Sequence, residues 1–245
     1  MKLLYIECNM GAAGDMLLSA LYELLEDQKE FLLHMNSLGL SGVHFRTATG
    51  GRAGIAGTHV EVADGENQLK REHAHDHVTP GSIAALIDSL NLPQDVRAHA
   101  QKVYAAVARA EAKAHKCQVE EVHFHEVGAP DAVADITGVC YAMHLLAPER
   151  VVVSPVCVGT GTVRCAHGVL PVPTPATANL LAGVPTYAGD VQGELCTPTG
   201  AALLTHFADA FGPMPAMTGC SVGIGLGGKQ LNESDCVRVF LGEMQ

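Results

Sequence analysis

The apolar positions at the start of the chain predict a strand, a glycine loop and a helix, in that order. Apolar side chains dominate residues 3–8, and Gly11 and Gly14 follow at once. The next apolar stripe has helical spacing, with leucines at positions 17, 21, 24 and 25. This order brings the backbone N–H groups of the loop to the amino end of a helix, where an anion can bind.

Apolar and polar residues then alternate over 43–47 and again over 58–62. Gly50-Gly51 lies between these two runs and is the expected turn of a hairpin. The opening of the chain therefore predicts a β-α-β-β order, which is typical of an α+β fold.

Farther along, prolines and apolar runs predict the remaining elements. Helices are expected where Pro can occupy the first turn, at Thr79-Pro80, Leu92-Pro93, Thr174-Pro175 and Thr197-Pro198. The apolar runs at 151–153 and 236–241 predict strands.

The fold class that these patterns predict is α+β, with mixed β-sheets and Ala-rich helices. Residues 64–78 carry charge and histidine without an apolar period, so they predict a solvated loop. This loop suggests two subdomains, with a β-α-β-β unit at 1–64, a His-rich loop at 65–79 and an α/β region at 80–245.

The charge balance excludes several classes of function. The formal net charge is −11, which would repel a phosphate backbone, so a nucleic-acid partner is not expected. No apolar run approaches the ~20 residues that a membrane-spanning helix needs. Glu7 and Asp15 also interrupt the N-terminus where a signal peptide stays apolar. We therefore expect a soluble, cytoplasmic protein without a membrane partner.

The densest group of titratable residues comprises His123, His125, Glu126, Asp131 and Asp135, all within 13 positions. The two aspartates are one helical turn apart, so a helix here would place both carboxylates on one face. Nitrogen and oxygen ligands in this arrangement suit a divalent ion. The alternative is structural: Asp131 caps the helix, Asp135 is a favourable first-turn charge, and the histidines belong to a strand. Spacing alone leaves both interpretations open.

Histidine is in excess, with 13 in the chain, and three of them alternate with other residues at His73, His75 and His77. An extended backbone would place these rings on one side, where neutral imidazoles can collect nickel or zinc. Tracts of this kind usually collect a metal rather than carry out chemistry on it. The alternative is a solvated loop that binds nothing.

Other polar groups lie beside glycines. The loop from Gly11 to Asp15 could bind an anion, although Asp15 is more simply explained as a helix cap. Cys165 and His167 could form a nucleophilic pair, but eight cysteines without a CxxC motif are more typical of buried thiols. The glycines at 223–228 predict either a phosphate site or a glycine-rich strand.

Several segments together resemble one family. In chain order they are GAAGDM at 11–16, HEVGAPDAVADI at 125–136, HGVLPVPTPA at 167–176, GELCTPTGA at 193–201 and GIGLG at 223–227. On these motifs the chain is identified as a member of the nickel insertion proteins of lactate racemase cofactor synthesis, the LarC family.

The resemblance implies a cyclometallase, an enzyme of the lyase class that places Ni²⁺ into pyridinium-3,5-bisthiocarboxylic acid mononucleotide. The reaction uses CTP and a divalent cation, and its product is the nickel-pincer cofactor of lactate racemase. On this view the histidine tract collects nickel and passes it to a site formed by His125, Glu126, Asp131 and Asp135, with Asp15 as a further catalytic residue.

The resemblance also suggests how the reaction and the substrate are handled. Forming a carbon–nickel bond requires the loss of a ring proton, so a general base is needed, and His125 and Glu126 are the expected bases. The residues expected to hold the substrate are Gly11, Gly14, His167, Thr197 and Thr199.

One departure from the family pattern affects the expected activity. Family members usually continue into a C-terminal domain associated with nucleotide binding. Where they carry Pro-Asn-x-Leu-Arg, this chain has SDCVR at 234–238 and ends soon after. We therefore expect the N-terminal part alone, with the C-terminal domain, and CTP with it, supplied in trans or by a frameshift fusion. The sequence does not distinguish a monomer from a homo-oligomer.

Two other functions fit the same residues. The first is a non-catalytic nickel-binding module that delivers or stores the ion and acts with a separate C-terminal partner. The second is a metal-dependent hydrolase, which would need an open metal position with an activated water. No spacing in the chain demands that second arrangement.

Overall fold

The computed structural model describes residues 1–52, 54–64, 78–228 and 235–244. The helices are α1 Gly14–Glu23, α2 Gln28–Asn36, α3 Pro80–Ser89, α4 Gln94–His115, α5 Pro130–Leu146, α6 Pro175–Leu180 and α7 Pro198–Phe207. The strands are β1 Lys2–Glu7, β2 Val43–Arg52, β3 Ile55–Asp64, β4 Arg150–Val153, β5 Val156–Cys157, β6 Gly159–Thr160, β7 Thr162–Cys165, β8 Gly168–Pro171, β9 Thr186–Tyr187, β10 Gly193–Glu194, β11 Ala210–Phe211, β12 Met217–Leu226 and β13 Cys236–Met244. Short 3₁₀ turns lie at Val119–Glu121 and Glu126–Gly128.

A seven-stranded mixed sheet in the order β11-β4-β1-β13-β12-β3-β2 organises the fold. β1 pairs in parallel with β4 and antiparallel with β13, while β12 pairs in parallel with β3. Helices with a mixed sheet confirm the expected α+β class. Strands from both sides of residues 65–77 share this sheet, and the division into two subdomains stays a prediction.

β1 is apolar from Leu3 to Ile6 because both faces of the sheet are covered there. Leu4 and Ile6 belong to the main core beneath the helices, whereas Leu3 and Tyr5 pack with Val152 in a small cluster on the opposite face. A central strand buried on both sides has no need for polar residues in alternation. This explains the continuous apolar run at residues 3–6.

Proline lies at the first helical position of α3, α6 and α7 as the sequence predicts, whereas Pro93 is the N-cap of α4. At α3 the Thr79 hydroxyl accepts a hydrogen bond from the Ser82 N–H at 3.2 Å, and the Ser82 hydroxyl accepts one from the Thr79 N–H at 3.0 Å. At α7 the Thr197 hydroxyl accepts from the Gly200 N–H at 3.1 Å. Pro at the first helical position loses no hydrogen bond, because its N–H would have no partner within the helix.

The predicted turn at Gly50-Gly51 is wrong. Both glycines lie within the β2–β3 ladder, where Gly50 pairs with Gly57, and the chain reverses between Arg52 and Ile55. Gly57 is required by packing, since a Cβ there would lie 2.7 Å from the carbonyl oxygen of Ile224 on β12. Close approach of a neighbouring strand, rather than a turn, accounts for a glycine at this position.

Residues 223–226 of the glycine-rich segment form the end of β12, and Gly223 and Gly225 let α1 rest on that strand. A Cβ at Gly225 would lie 1.9 Å from the Met16 carbonyl oxygen, and one at Gly223 would lie 2.0 Å from the Ala20 carbonyl oxygen. Of the two predicted explanations, the structure supports the glycine-rich strand. Among the described residues, no helix is both long and apolar enough to cross a membrane.

Candidate functional site

A cavity of about 760 Å³ brings together residues from distant parts of the chain. Its carboxylates are Asp15, Glu111, Glu126, Asp131, Asp135, Glu194 and Asp235. Its histidines are His59, His115, His123, His125 and His167. Arg164 is the only Lys or Arg lining it among the described residues. The cavity is therefore rich in nitrogen and oxygen ligands and poor in cationic side chains.

Four helices present their amino ends to this cavity. The lining includes Gly14 of α1, Asp131 of α5, Pro175 of α6 and Thr199 of α7, all in first turns. Unpaired backbone N–H groups give each helix start a partial positive charge. These partial positive charges offset part of the negative charge of the carboxylate side chains and favour the binding of anionic groups in the cavity.

Asp15 is held at the cavity floor by two backbone donors. Its Oδ1 accepts from the Met16 N–H at 2.8 Å, and its Oδ2 accepts from the Gly228 N–H at 2.9 Å. The N-cap position of α1 is Ala13, so the interpretation of Asp15 as the cap is wrong. These two hydrogen bonds fix the orientation of the Asp15 carboxylate.

Gly11 lies behind the cavity wall rather than in it. Its N–H donates to the Cys8 carbonyl at 3.1 Å, and the Ala12 N–H donates to the Leu195 carbonyl at 3.0 Å. A Cβ at Gly11 would lie 2.1 Å from that same Leu195 oxygen. In this loop, these two N–H groups therefore fix the chain in place, and the cavity receives Ala13, Gly14 and Asp15 instead.

Asp135 faces Asp15 across the floor, in space that Gly14 leaves free. A Cβ at Gly14 would lie 2.9 Å from the Asp135 Oδ2 atom and 3.0 Å from the Thr199 Cγ2 atom. Burial raises the pKa of Asp135 well above its ordinary value, and the nearby charges of Asp15 and Asp131 raise it further. Asp135 therefore holds its proton more strongly than an ordinary aspartate.

The structure does not support the alternative in which Asp131 caps the helix, Asp135 is a first-turn charge and the histidines belong to a strand. The N-cap of α5 is Ala129, so neither Asp131 nor Asp135 is a cap, and Asp135 lies beyond the first turn. His123 and His125 lie outside the named strands, on either side of Phe124. The one-turn spacing does place both carboxylates toward the cavity.

His59, which the sequence analysis missed, is oriented by the backbone. Its Nδ1 lies 2.9 Å from the Leu226 carbonyl oxygen, and because a carbonyl only accepts, Nδ1 must carry the proton. In the neutral ring Nε2 then has a free lone pair, which is how metal-binding histidines are commonly held. A Cβ at Gly228 would lie 3.9 Å from this Nε2 and 3.4 Å from the Asp15 Oδ2 atom. In the sequence, His59 is a single histidine in an alternating strand, and nothing in this pattern indicates a functional residue.

A histidine group formed by His115, His125 and His167 lies at the cavity mouth. The His167 ring centroid is 4.7 Å from that of His115 and 4.5 Å from that of His125. The Nε2 atom of His115 also lies 3.6 Å from the Glu111 Oε2 atom. Glu111 and His115 were missed by the sequence analysis, and their i, i+4 spacing at the end of α4 is a signal that could have found them.

The pKa of Glu111 is raised by burial, and the charges of His115 and His167 act in the opposite direction. On the other side of the mouth, the Glu126 Oε1 atom accepts from the Ala166 N–H at 2.7 Å. This bond ties the 3₁₀ turn before α5 to the β7–β8 hairpin. Glu126 therefore positions the hairpin turn that carries His167.

Thr197 and Thr199 lie where α7 begins. Thr197 caps the helix and also lines the cavity, and Thr199 is buried with 8% of its surface exposed. A capping hydroxyl accepts through its oxygen and retains its own proton for donation. Thr197 can therefore cap α7 and donate to an anion at the same time.

The predicted nickel-collecting residues His73, His75 and His77 lie outside the described residues. The described chain resumes at Val78, whose carbonyl accepts from the Phe124 N–H at 2.7 Å. Within residues 1–52, 54–64, 78–228 and 235–244, no three His, Cys, Asp or Glu side chains already converge on one metal position.

Comparison with known proteins places this site in a family context. The profile of the nickel insertion protein family matches residues 4–245. The chain is 41% identical over 244 residues to the pyridinium-3,5-bisthiocarboxylic acid mononucleotide nickel insertion protein of Desulfitobacterium hafniense, an alignment covering 100% of this chain and 59% of the relative. No solved structure matches the chain significantly.

Two further relatives carry the same name. The protein from Nocardioides sp. is 42% identical over 241 residues, covering 97% of this chain and 59% of the relative. The protein from Geobacillus kaustophilus is 35% identical over 249 residues, covering 99% of this chain and 60% of the relative. The chain thus spans about three fifths of the length of these relatives.

Proposed function

The chain belongs to the nickel insertion protein family, and we propose that it inserts Ni²⁺ into pyridinium-3,5-bisthiocarboxylic acid mononucleotide as the N-terminal part of a cyclometallase of the lyase class. The product would be the nickel-pincer cofactor of lactate racemase. The observation that carries this proposal is the cavity, where carboxylates and imidazoles meet four helix amino ends. Such a site can bind a divalent ion and an anionic nucleotide together.

The reaction replaces one ring hydrogen of the pyridinium by nickel. The carbon–nickel bond forms with the electron pair of the broken C–H bond, and the proton passes to a general base. His125 and Glu126 are the proposed bases, because both line the cavity and neither is deeply buried. Asp135 is not the proposed base, because burial and the charges of Asp15 and Asp131 raise its pKa and favour its protonated form. It becomes a ligand when a cation displaces that proton.

The substrate is held by the helix starts. Its phosphate fits the amino end of α7, where the hydroxyls of Thr197 and Thr199 and the backbone N–H groups can donate. Gly14 leaves room at α1, and His167 and Arg164 can contact the anion from the hairpin. Because the cavity is strongly acidic, its carboxylates would repel the substrate phosphate. We propose that a divalent cation binds with the substrate and offsets this repulsion.

The histidine tract directly precedes, in sequence, a residue that is hydrogen-bonded to the segment carrying His123 and His125. His77 precedes Val78, and Val78 is hydrogen-bonded to Phe124, which lies between His123 and His125. We propose that nickel collected by His73, His75 and His77, which lie outside the described residues, is passed on to the cavity. CTP is proposed to act with a further region of the enzyme, in trans or fused by frameshifting, and the reaction is placed in the cytoplasm, where CTP is available.

A nickel insertion assay tests the proposal. The chain is combined with the bisthiocarboxylate mononucleotide, Ni²⁺ and CTP, first alone and then with a separately expressed C-terminal domain of the family. We expect the absorbance of the nickel product in at least the second mixture, and its loss in the Asp131→Asn variant but not in His44→Ala, which changes an exposed histidine on β2.

Absence of product from both mixtures would refute insertion by this chain. The alternative function, a non-catalytic module that stores or delivers nickel to a partner, would then be favoured. It is supported by the abundance of histidine both in the tract and in the cavity. Nickel binding without turnover would be its signature.

A further inference from the structure

Three exposed imidazoles from three separate elements meet at the cavity mouth. His115 ends α4, His125 precedes a 3₁₀ turn, and His167 lies in the β7–β8 turn. Their rings are in mutual contact through His167, at centroid distances of 4.7 and 4.5 Å. Burial does not explain this contact, because all three residues are exposed to solvent and add little to the apolar core. We infer that His115, His125 and His167 form a Ni²⁺ acquisition site, distinct from the histidine tract, at which the ion waits before insertion.

The chemistry of the group suits nickel. Neutral imidazole nitrogens bind divalent ions of intermediate softness, and three of them from separate elements can face a single ion. The Glu111 carboxylate, 3.6 Å from the His115 Nε2 atom, supplies a negative charge beside the rings. This inference rests on the proposed function only for the identity of the metal.

The protein also holds the elements that carry these rings. Glu126 accepts from the Ala166 N–H at 2.7 Å, which fixes the turn carrying His167 beside the segment carrying His125. His115 is attached to the last turn of a 22-residue helix. The backbones that carry the three rings are therefore held close together. Among the described residues no three side chains already form a metal position, so the inferred site requires these exposed rings to turn about their side-chain torsions when the ion binds.

The histidine group lies at the cavity mouth, whereas the carboxylates on the floor, where nickel insertion is proposed, lie deeper in the same cavity. His125 is also the neighbour of Glu126, and both residues line the cavity that contains Asp131 and Asp135. An ion held by the three rings is thus already inside the cavity opening, on the side where Val78 joins Phe124. When the ion moves to the cavity floor, the carboxylates there and the sulfur atoms of the substrate would replace the imidazole ligands. The ion would not return to bulk water during this exchange.

The test measures nickel binding by the full chain in the absence of substrate and CTP. Isothermal titration calorimetry is performed on a background variant, His73/His75/His77→Ala, so that the tract contributes nothing. We expect this variant to bind Ni²⁺, and we expect an additional His167→Ala change to weaken the tightest binding step by about 10-fold or more. His115→Ala should act in the same way. His44→Ala is the matched control and should leave the affinity unchanged.

Nickel X-ray absorption spectra on the background variant provide a second readout. They should show imidazole scattering that diminishes in His167→Ala, and circular dichroism establishes that each variant is folded. The inference is overturned if the background variant binds no nickel, or if His167→Ala and His115→Ala bind as tightly as their parent. Loss of nickel binding in these variants, combined with a wild-type chain that makes no product either alone or with the C-terminal domain, would refute the insertion function while leaving the acquisition site in place.

Discussion

The carboxyl group of Asp135 shows how a single residue acquires its properties from its surroundings. It lies one turn after Asp131 on α5 and opposite Asp15 on α1. Two neighbouring negative charges and burial all disfavour its ionised form, so its pKa is well above the ordinary value. A cation in the cavity would reverse this balance, since it would attract all three carboxylates.

This elevated pKa predicts the pH dependence of Asp135→Asn. In the wild type the unfolded chain loses the Asp135 proton near pH 4 while the folded chain retains it, so this residue makes stability fall as pH rises from that point to the folded pKa. Asparagine is neutral at every pH in this range, so the variant does not lose stability in this way as the pH rises. In metal-free buffer the variant should therefore unfold at a higher temperature than the wild type at pH 7, with the difference shrinking toward pH 4.

Thermal unfolding followed by circular dichroism between pH 4 and 8 measures this difference. Each unit of pKa elevation corresponds to about 1.4 kcal/mol, so the effect is large enough to detect. Asp209→Asn, whose carboxylate accepts from the Val151 N–H at 2.8 Å, is a control in which the change should destabilise instead. An Asp135→Asn variant that is less stable than the wild type at pH 7 would contradict the argument.

At the scale of elements, the contact between α1 and β12 supports the floor of the site. Glycines at 223 and 225 allow the helix backbone to lie directly on the strand. The Ser19 hydroxyl of α1 also accepts from the Val60 N–H of β3 at 2.8 Å. Since α1 carries Asp15 and β12 leads to Gly228, this packing determines where the Asp15–Gly228 hydrogen bond can form.

Gly225→Ala should therefore destabilise the protein and displace the floor. A Cβ at this position would lie 1.9 Å from the Met16 carbonyl oxygen, so the helix must move away from the strand. Overpacking of this kind costs about 1–3 kcal/mol, and more where backbone must move. Denaturant unfolding should show the loss, whereas Gly212→Ala, where the added Cβ would meet nothing within 4 Å, should be nearly neutral. Equal stability of the two variants would refute this account of the contact.

At the scale of the whole molecule, the net charge of −11 and the acidic cavity make folding sensitive to divalent ions. Repulsion among the cavity carboxylates opposes the compact state, and a bound cation relieves it. A ligand that binds only the folded state stabilises it in proportion to the logarithm of its concentration.

Ni²⁺ should consequently raise the unfolding temperature of the His73/His75/His77→Ala variant. At a concentration 100 times Kd the stabilisation is about 2.7 kcal/mol, and excess EDTA should abolish it. Differential scanning fluorimetry measures the shift, and Asp131→Asn should reduce it. No shift at saturating nickel, or an equal shift in Asp131→Asn, would show that these carboxylates do not contribute to binding.

The sequence by itself determined the features that depend on neighbours along the chain. Helix starts at proline, the apolar central strand β1 and the one-turn spacing of Asp131 and Asp135 follow from local sterics, capping and periodicity. The family motifs likewise identified most of the cavity lining, including Gly14, Glu126 and His167.

Tertiary structure alone decided which distant residues meet. The need for glycine at position 57 depended on β12 packing against it, and the role of His59 depended on the Leu226 carbonyl. The contact of His115 with His167 joins the end of a helix to a hairpin 52 residues later. Local patterns cannot encode such pairings, because the free energy that selects them comes from burying whole helix and sheet faces against one another. The direction in which one side chain points then follows from that global packing.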